Sequence, residues 1–161
     1  MATTTMHELL TVALQDLREG RRVVAARLPE IAEATRDEET RAAFRRLTAR
    51  STHEMETLAE MVSKPDGEPN LWAAGILDDA CRDVASTAAG PVRDVALIGA
   101  IRKFLGADIV SLETAIALVQ HDDEQVSEGL RDLCERASQA DHLLRQQLRQ
   151  LTRQTEDQPE G

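Results

Sequence analysis

The sequence predicts an all-α protein, a bundle of four long helices with a shorter helix inserted between the second and third long ones. Three observations predict it. Apolar residues recur at alternating spacings of three and four along extended segments, the period of a helix face. The composition, 42% hydrophobic and 30% charged, is rich in Ala, Leu, Glu, Asp and Arg, which favours long helices. Breakers and β-formers are scarce: five Pro, eight Gly, one Trp, two Phe and no Tyr in 161 residues. That length suits one domain, expected over residues 1–151, with a polar, frayed tail at 152–161.

The first helix is expected over Met6 to Ala34, on the stripe Leu10, Leu14, Leu17, Val24, Leu28, Ile31. Thr5 followed by Glu8 reads as a capping box. Pro29 must kink this helix or end it near Leu28. A polar break at Thr35-Arg36-Asp37 precedes a second helix to about Ser63, with Phe44, Leu47, Met55, Leu58, Met61 and Val62 inward. Lys64 to Pro69 is a loop by its Pro and Gly content. A short third helix is expected from Leu71 to Thr87, ended by Gly90 and Pro91. The fourth, Val92 to Gln120, is apolar on two adjoining stripes and should be the most buried. His121-Asp122-Asp123 reads as a turn in which Asp122 or Asp123 caps the fifth helix. That helix is expected to end near Leu151, along Leu130, Cys134, Ala137, Leu144, Leu148, Leu151.

A net charge of −10, with 19 Lys and Arg dispersed among 29 acids, argues against a nucleic-acid binder. No run of 18 apolar residues exists to span a membrane, and the N-terminal residues lack the apolar run of a secretion signal. Cys81 and Cys134 fit neither a zinc spacing nor a disulfide framework, and read as small apolar residues in a reducing compartment. A cytoplasmic protein is expected.

Each long helix carries one charge on its inward stripe. Arg21 fits the series 10, 14, 17, 21, 24, 28, 31; Glu54 fits 47, 51, 54, 58, 61. Asp108 fits 97, 101, 104, 108, 115, 118, and Asp141 fits 130, 134, 137, 141, 144, 148, 151. All four lie near mid-helix, hence near one level of a bundle. An unpaired buried charge costs several kcal/mol. Such residues therefore snorkel to water at the stripe edge, form a salt-bridged layer, or bind an ion. Three acids against one Arg leave excess negative charge, to be relieved by solvent, a proton or a second cation; His53, Arg50 and Arg102 are the nearest candidates. No Ser-His-Asp order, P-loop or dinucleotide fingerprint is present.

Several segments carry a family likeness. They are Leu14-Gln15-Asp16-Leu17 followed by Leu28-Pro29, then Gly75-Ile76-Leu77-Asp78-Asp79-Ala80, then Val92-Arg93-Asp94-Val95-Ala96-Leu97-Ile98-Gly99-Ala100. With the helix order, they resemble the YciE/YciF-type ferritin-like stress proteins from about residue 6 to 150. The resemblance implies a ferritin-like bundle able to hold a metal pair between its long helices through carboxylates and His. Carried over one position at a time, the family's first-helix Glu falls at Arg21. Its second-helix acidic and His cluster falls across Leu47, Arg50 and Glu54, and its fourth-helix Glu-His-x-Glu run becomes Leu105-Gly106-Ala107-Asp108. The fifth-helix acids fall at Ala137 and Asp141. Most ligands are thus replaced, and no Glu-x-x-His or Asp-x-x-His occurs in the chain. Arg21 puts a permanent cation where a metal would sit.

The expected protein is therefore a metal-free, non-catalytic ferritin-like bundle with a core ionic layer at Arg21, Glu54, Asp108 and Asp141. Its expected role is structural or partner-binding and stress-associated, as a homodimer, with Leu71, Trp72 and Ile76 on the inserted helix offering apolar surface for a contact or simply capping the core. The alternative is a metalloprotein in which Glu54, Asp108 and Asp141, with His53 or His142, bind one iron, manganese or zinc ion.

Overall fold

Among the described residues, five α-helices follow from the patterning, and each start has a visible cause. The computed structural model describes residues 2–119 and 123–156. Helix α1 is Met6–Ala34, α2 Glu38–Glu60, α3 Leu71–Ser86, α4 Pro91–Leu118 and α5 Glu124–Glu156. Thr5 and Glu8 form the capping box of α1. Asp37 caps α2 through the Thr40 N–H, and Asn70 caps α3 through the Ala73 N–H. Before α4, Gly90 takes φ 126°, a conformation that disfavours any side chain, and Pro91 supplies the preset φ of a first helical residue. The Val126 N–H donates to Asp123 at the head of α5.

Contacts close a ring: α1 on α2, α2 on α5, α5 on α4, and α4 back on α1. Helix α3 lies outside the ring, against α1 and α4. Trp72 reaches Asp16 and Asp78 reaches Arg27, so α3 runs alongside α1 in the same direction. That course carries the chain from the foot of α2 back to the end where α2 began, so α4 descends parallel to α2. Gly20 permits the close approach: a Cβ there would lie 3.2 Å from Asn70 Nδ2. Leu17, Leu28, Ile31, Phe44, Leu58, Leu97, Ile98, Ile101, Leu105, Leu112 and Leu130 fill the ring's centre.

Several boundaries differ from the sequence reading, although helix α1 spans Met6–Ala34 as expected and runs through the exposed Pro29 rather than ending near Leu28. The carbonyl of Ala25 loses its helical partner there. Helix α2 stops at Glu60 rather than Ser63, because the residue before Pro65 avoids helical geometry and the chain must already be turning. Helix α4 begins one residue early, at Pro91. Helix α5 continues past Leu151 to Glu156, through residues 152–156 that tolerate a helix. The expected helix end at Gln120, the turn residues His121 and Asp122, and tail residues 157–161 lie outside the described residues.

Candidate functional site

At mid-bundle, Arg21 from α1 reaches across the core. Its Nε donates to Glu54 Oε2 at 3.0 Å. Its Nη2 donates to Asp108 Oδ2 at 3.0 Å, and Nη1 donates to Asp108 Oδ1. Asp108 is thus held by both arms of a planar fork, the geometry in which Arg binds a carboxylate best. Arg21 and Glu54 are each 3% exposed and Asp108 2%. A fourth member completes the charge balance. Arg50 Nε lies 3.1 Å from Glu54 Oε1, close in charge but not aligned as a hydrogen bond, and neither atom has another partner among the described residues. Arg50 Nη1 donates to the Arg136 carbonyl on α5 at 3.2 Å. Two cations and two anions therefore form a neutral cluster contacting all four long helices.

Burial lowers the basicity of the Arg21 guanidinium, but attraction by Asp108 and then Glu54 more than reverses this, leaving its pKa above the ordinary guanidinium value. Arg50 shows the opposite balance. Its burial outweighs the attraction of Glu54, and repulsion from Arg21 adds to the loss, so its pKa falls below the ordinary value.

Asp141 does not join this cluster. It sits at the α4–α5 seam, where Arg102 Nε donates to Oδ1 at 2.8 Å and Arg145 Nη2 donates to Oδ2 at 3.3 Å. The inward stripe of α5 explains the separation. Leu130, Leu133, Ala137, Leu144, Gln147 and Leu151 are its buried residues. The series through 134, 141 and 148 runs one residue to the side, toward α4, where Asp141 meets Arg102. His53 and His142 are exposed. The structure thus brings Glu54 and Asp108 together through Arg21, and leaves Asp141, His53 and His142 apart from them. Among the described residues, no group of three or more His, Cys, Asp or Glu could hold a metal ion.

A further buried carboxylate, away from this cluster, escaped the sequence reading. Asp94, 2% exposed in the first turn of α4, accepts the backbone N–H groups of Arg36 at 3.0 Å and Asp37 at 2.8 Å. Asp37 in turn accepts from the Thr40 N–H and hydroxyl, and from Gln147 Nε2 at 2.8 Å. This layer ties the α1–α2 turn to α4 and α5. The signal was available: stepping the series 97, 101, 104, 108 back by three lands on Asp94.

On α3, Trp72 stacks at a 31° tilt on Phe104, centroids 5.6 Å apart, and donates to Asp16 Oδ2 at 3.1 Å. Trp72 and Ile76 are half-buried, whereas Leu71 is 80% exposed. No helix among the described residues is long and apolar enough to cross a membrane.

The order of helices and their lengths can be compared with known proteins. The model of a family described as Domain of unknown function (DUF892) matches residues 5–156. The chain belongs to the DUF892 family. A solved structure described as the E. coli stress protein YciF superposes with a TM-score of 0.86 at 22% identity, covering 94% of this chain and 99% of that one. YcfI of Rhodopseudomonas palustris, provisionally described as a structural protein, superposes with a TM-score of 0.79 at 18% identity, covering 88% and 94%. At these identities the likeness to both is one of fold. No curated protein matches. The YciF-type likeness read from the sequence is thus borne out, in this DUF892 chain, at the level of family and helical architecture.

Proposed function

We propose that this DUF892 protein is a metal-free, non-catalytic ferritin-like bundle with a structural or partner-binding role. The reading rests above all on Arg21. Its guanidinium lies between Glu54 and Asp108 at mid-bundle, where a metal pair would need a carboxylate. The side chains at this level do not fit such a pair. Glu54 and Asp108 spend their charge on Arg21 and Arg50, and Asp141 spends its charge on Arg102. Arginine does not deprotonate to release them.

The ionic layer in this reading consists of Arg21, Arg50, Glu54 and Asp108. A stress-associated role in the cytoplasm, as a homodimer, is the fitting context. It is supported by the description of YciF as a stress protein and by the provisional structural description of YcfI. The test is elemental analysis of protein purified without chelator, then incubated with Fe(II), Mn(II) and Zn(II) and desalted. Substoichiometric metal in every case is the expected result. One equivalent retained by the native chain and lost in Asp108→Ala would replace this reading with the single-ion alternative.

A further inference from the structure

Around the ring of long helices, α2 and α5 are the least closely packed neighbours. Two polar ties close their seam at its ends. Arg50 Nη1 donates to the Arg136 carbonyl at 3.2 Å, and Gln147 Nε2 donates to Asp37 Oδ2 at 2.8 Å. Between the ties, Ala43 on α2 and Ala140 on α5 line the seam, and two such small side chains cannot fill the space between the helices. A furrow of about 330 Å³ results, with buried Leu47 and Leu144 in its wall. That volume lies at the lower end of small-molecule pockets.

The charge of the furrow is one-sided. Arg46 and Arg50 line it, and among the described residues no acid does. Arg46 is exposed and makes no ion pair among the described residues. Arg50 is less accessible, its side chain 24% exposed. Its Nε faces Glu54 and its Nη1 is taken by the Arg136 carbonyl, but its Nη2 has no acceptor among the described residues. A guanidinium offers five N–H donors, so Arg50 keeps unused ones beside an apolar wall. Burial already outweighs the attraction of Glu54 at Arg50, and a further anion alongside offsets that cost. On a chain of net charge −10, a furrow lined by two cations selects for an anion.

The shape limits what body that anion can carry. No aromatic ring lines the furrow among the described residues, and the leucine and alanine wall suits an aliphatic chain. From Arg50 to Ala43 the helix rises about 10 Å, the extended length of a medium-chain acid such as octanoate. Beyond Ala43 the seam narrows to a hollow of about 170 Å³ lined by Glu39, Gln146 and Gln150. A longer apolar tail would meet charge and amides there.

We propose that the furrow between α2 and α5 binds a medium-chain aliphatic carboxylate, its head on Arg50 and Arg46 and its chain against Leu47, Leu144 and the two alanines. The inference goes beyond the structural reading above. It stands whether or not the core holds a metal, because none of Glu54, Asp108 and Asp141 lines the furrow.

NMR shifts of backbone amides and arginine side chains, followed as octanoate is added to the full chain, test it. Saturable changes centred on Ala43, Leu47, Arg50, Ala140 and Leu144 are expected. Arg46→Glu, at an exposed position, should weaken binding about fivefold, the scale of an exposed charge pair. Ala140→Leu fills the furrow and should abolish binding, with circular dichroism confirming that both variants are folded. Octyltrimethylammonium, of equal chain and opposite charge, should leave these residues unmoved, and dodecanoate should bind no more tightly than octanoate. Absence of saturable shifts overturns the proposal. So does equal binding of the cation, tighter binding of dodecanoate, or undiminished binding by either folded variant. Shifts at these residues that move with protein concentration alone would place a second copy in the furrow and overturn it as well.

Discussion

Arg21 grips both carboxylate oxygens of Asp108 across the bundle, joining α1 to α4 over 87 residues of sequence. Neither side chain reaches water to any useful extent, so each depends on the other for its charge to be tolerated. Removing one partner leaves the second as an uncompensated buried ion. Arg21→Ala is expected to cost about 3–5 kcal/mol of stability by chemical denaturation. A loss below about 0.5 kcal/mol, the size of a surface change, would mean that the cluster does not hold the bundle. Arg21→Lys should recover only part of the loss, because a single ammonium cannot span Glu54 and both oxygens of Asp108.

Asp94 should matter almost as much, although it pairs with no cation. Its two oxygens accept the N–H groups of Arg36 and Asp37, which no helix satisfies. Asp94→Ala removes two charge-assisted hydrogen bonds and is expected to cost about 2–4 kcal/mol. Asp94→Asn keeps one acceptor oxygen and should cost less. Urea melts of both variants with unchanged slope would check this, and equal losses would contradict the two-acceptor picture.

These two carboxylates show where the sequence was legible. The α1 series placed Arg21 among buried leucines correctly because that helix faces one core from one side. The α5 series failed at Asp141. That helix packs on both α4 and α2, so its covered face is broad: Leu130, Ala137, Leu144 and Leu151 of the series are buried, while 134, 141 and 148 lie half-buried on its flank. Arg50 was legible only as a nearby cation, since its role depends on the distance from α2 to α5. Asp94 obeyed the same spacing as Asp108 but lay one step before the stripe seemed to begin. The helical class, the five elements and the loop at Lys64 to Pro69 needed no tertiary information.

The α1 cap gives a pH prediction. Glu8 is fully exposed, yet its pKa lies below the ordinary 4.5, chiefly through the Thr4 backbone N–H, then the Thr4 hydroxyl and the Thr5 N–H. A lowered folded-state pKa means that the cap's contribution is complete above the ordinary glutamate range. It is lost as pH falls through the folded value. Carboxyl chemical shifts followed by NMR should place Glu8 below 4.5, and Thr4→Val should move it part of the way back. Titration of Glu8 at the ordinary value in the native chain would exclude the capping box in solution.

Cys134 should be a sluggish nucleophile. Burial raises its thiol pKa above the ordinary 9.0, and the nearby charges of Glu113 and Asp108 raise it further. In a Cys81→Ser background, alkylation by iodoacetamide should be slow at neutral pH and should accelerate only above the ordinary thiol range. Fast labelling at neutral pH would indicate that the α4–α5 seam opens.

The long reach of Arg21 to Asp108 also sets an order of events during translation. When α1 and α2 have left the ribosome, Arg21 has Glu54 but lacks Asp108, and the turn that joins them lacks Asp94. At roughly 5–20 residues per second, the stretch from the end of α2 at Glu60 to Asp108 takes about 2–10 s to make. Throughout that interval the leucine stripe of α1 has nothing to pack on but α2 and α3. The nascent half-bundle is then a natural client for a chaperone. A chain stalled at Ser86 should be cut readily by protease, and one stalled after α4 has emerged should resist.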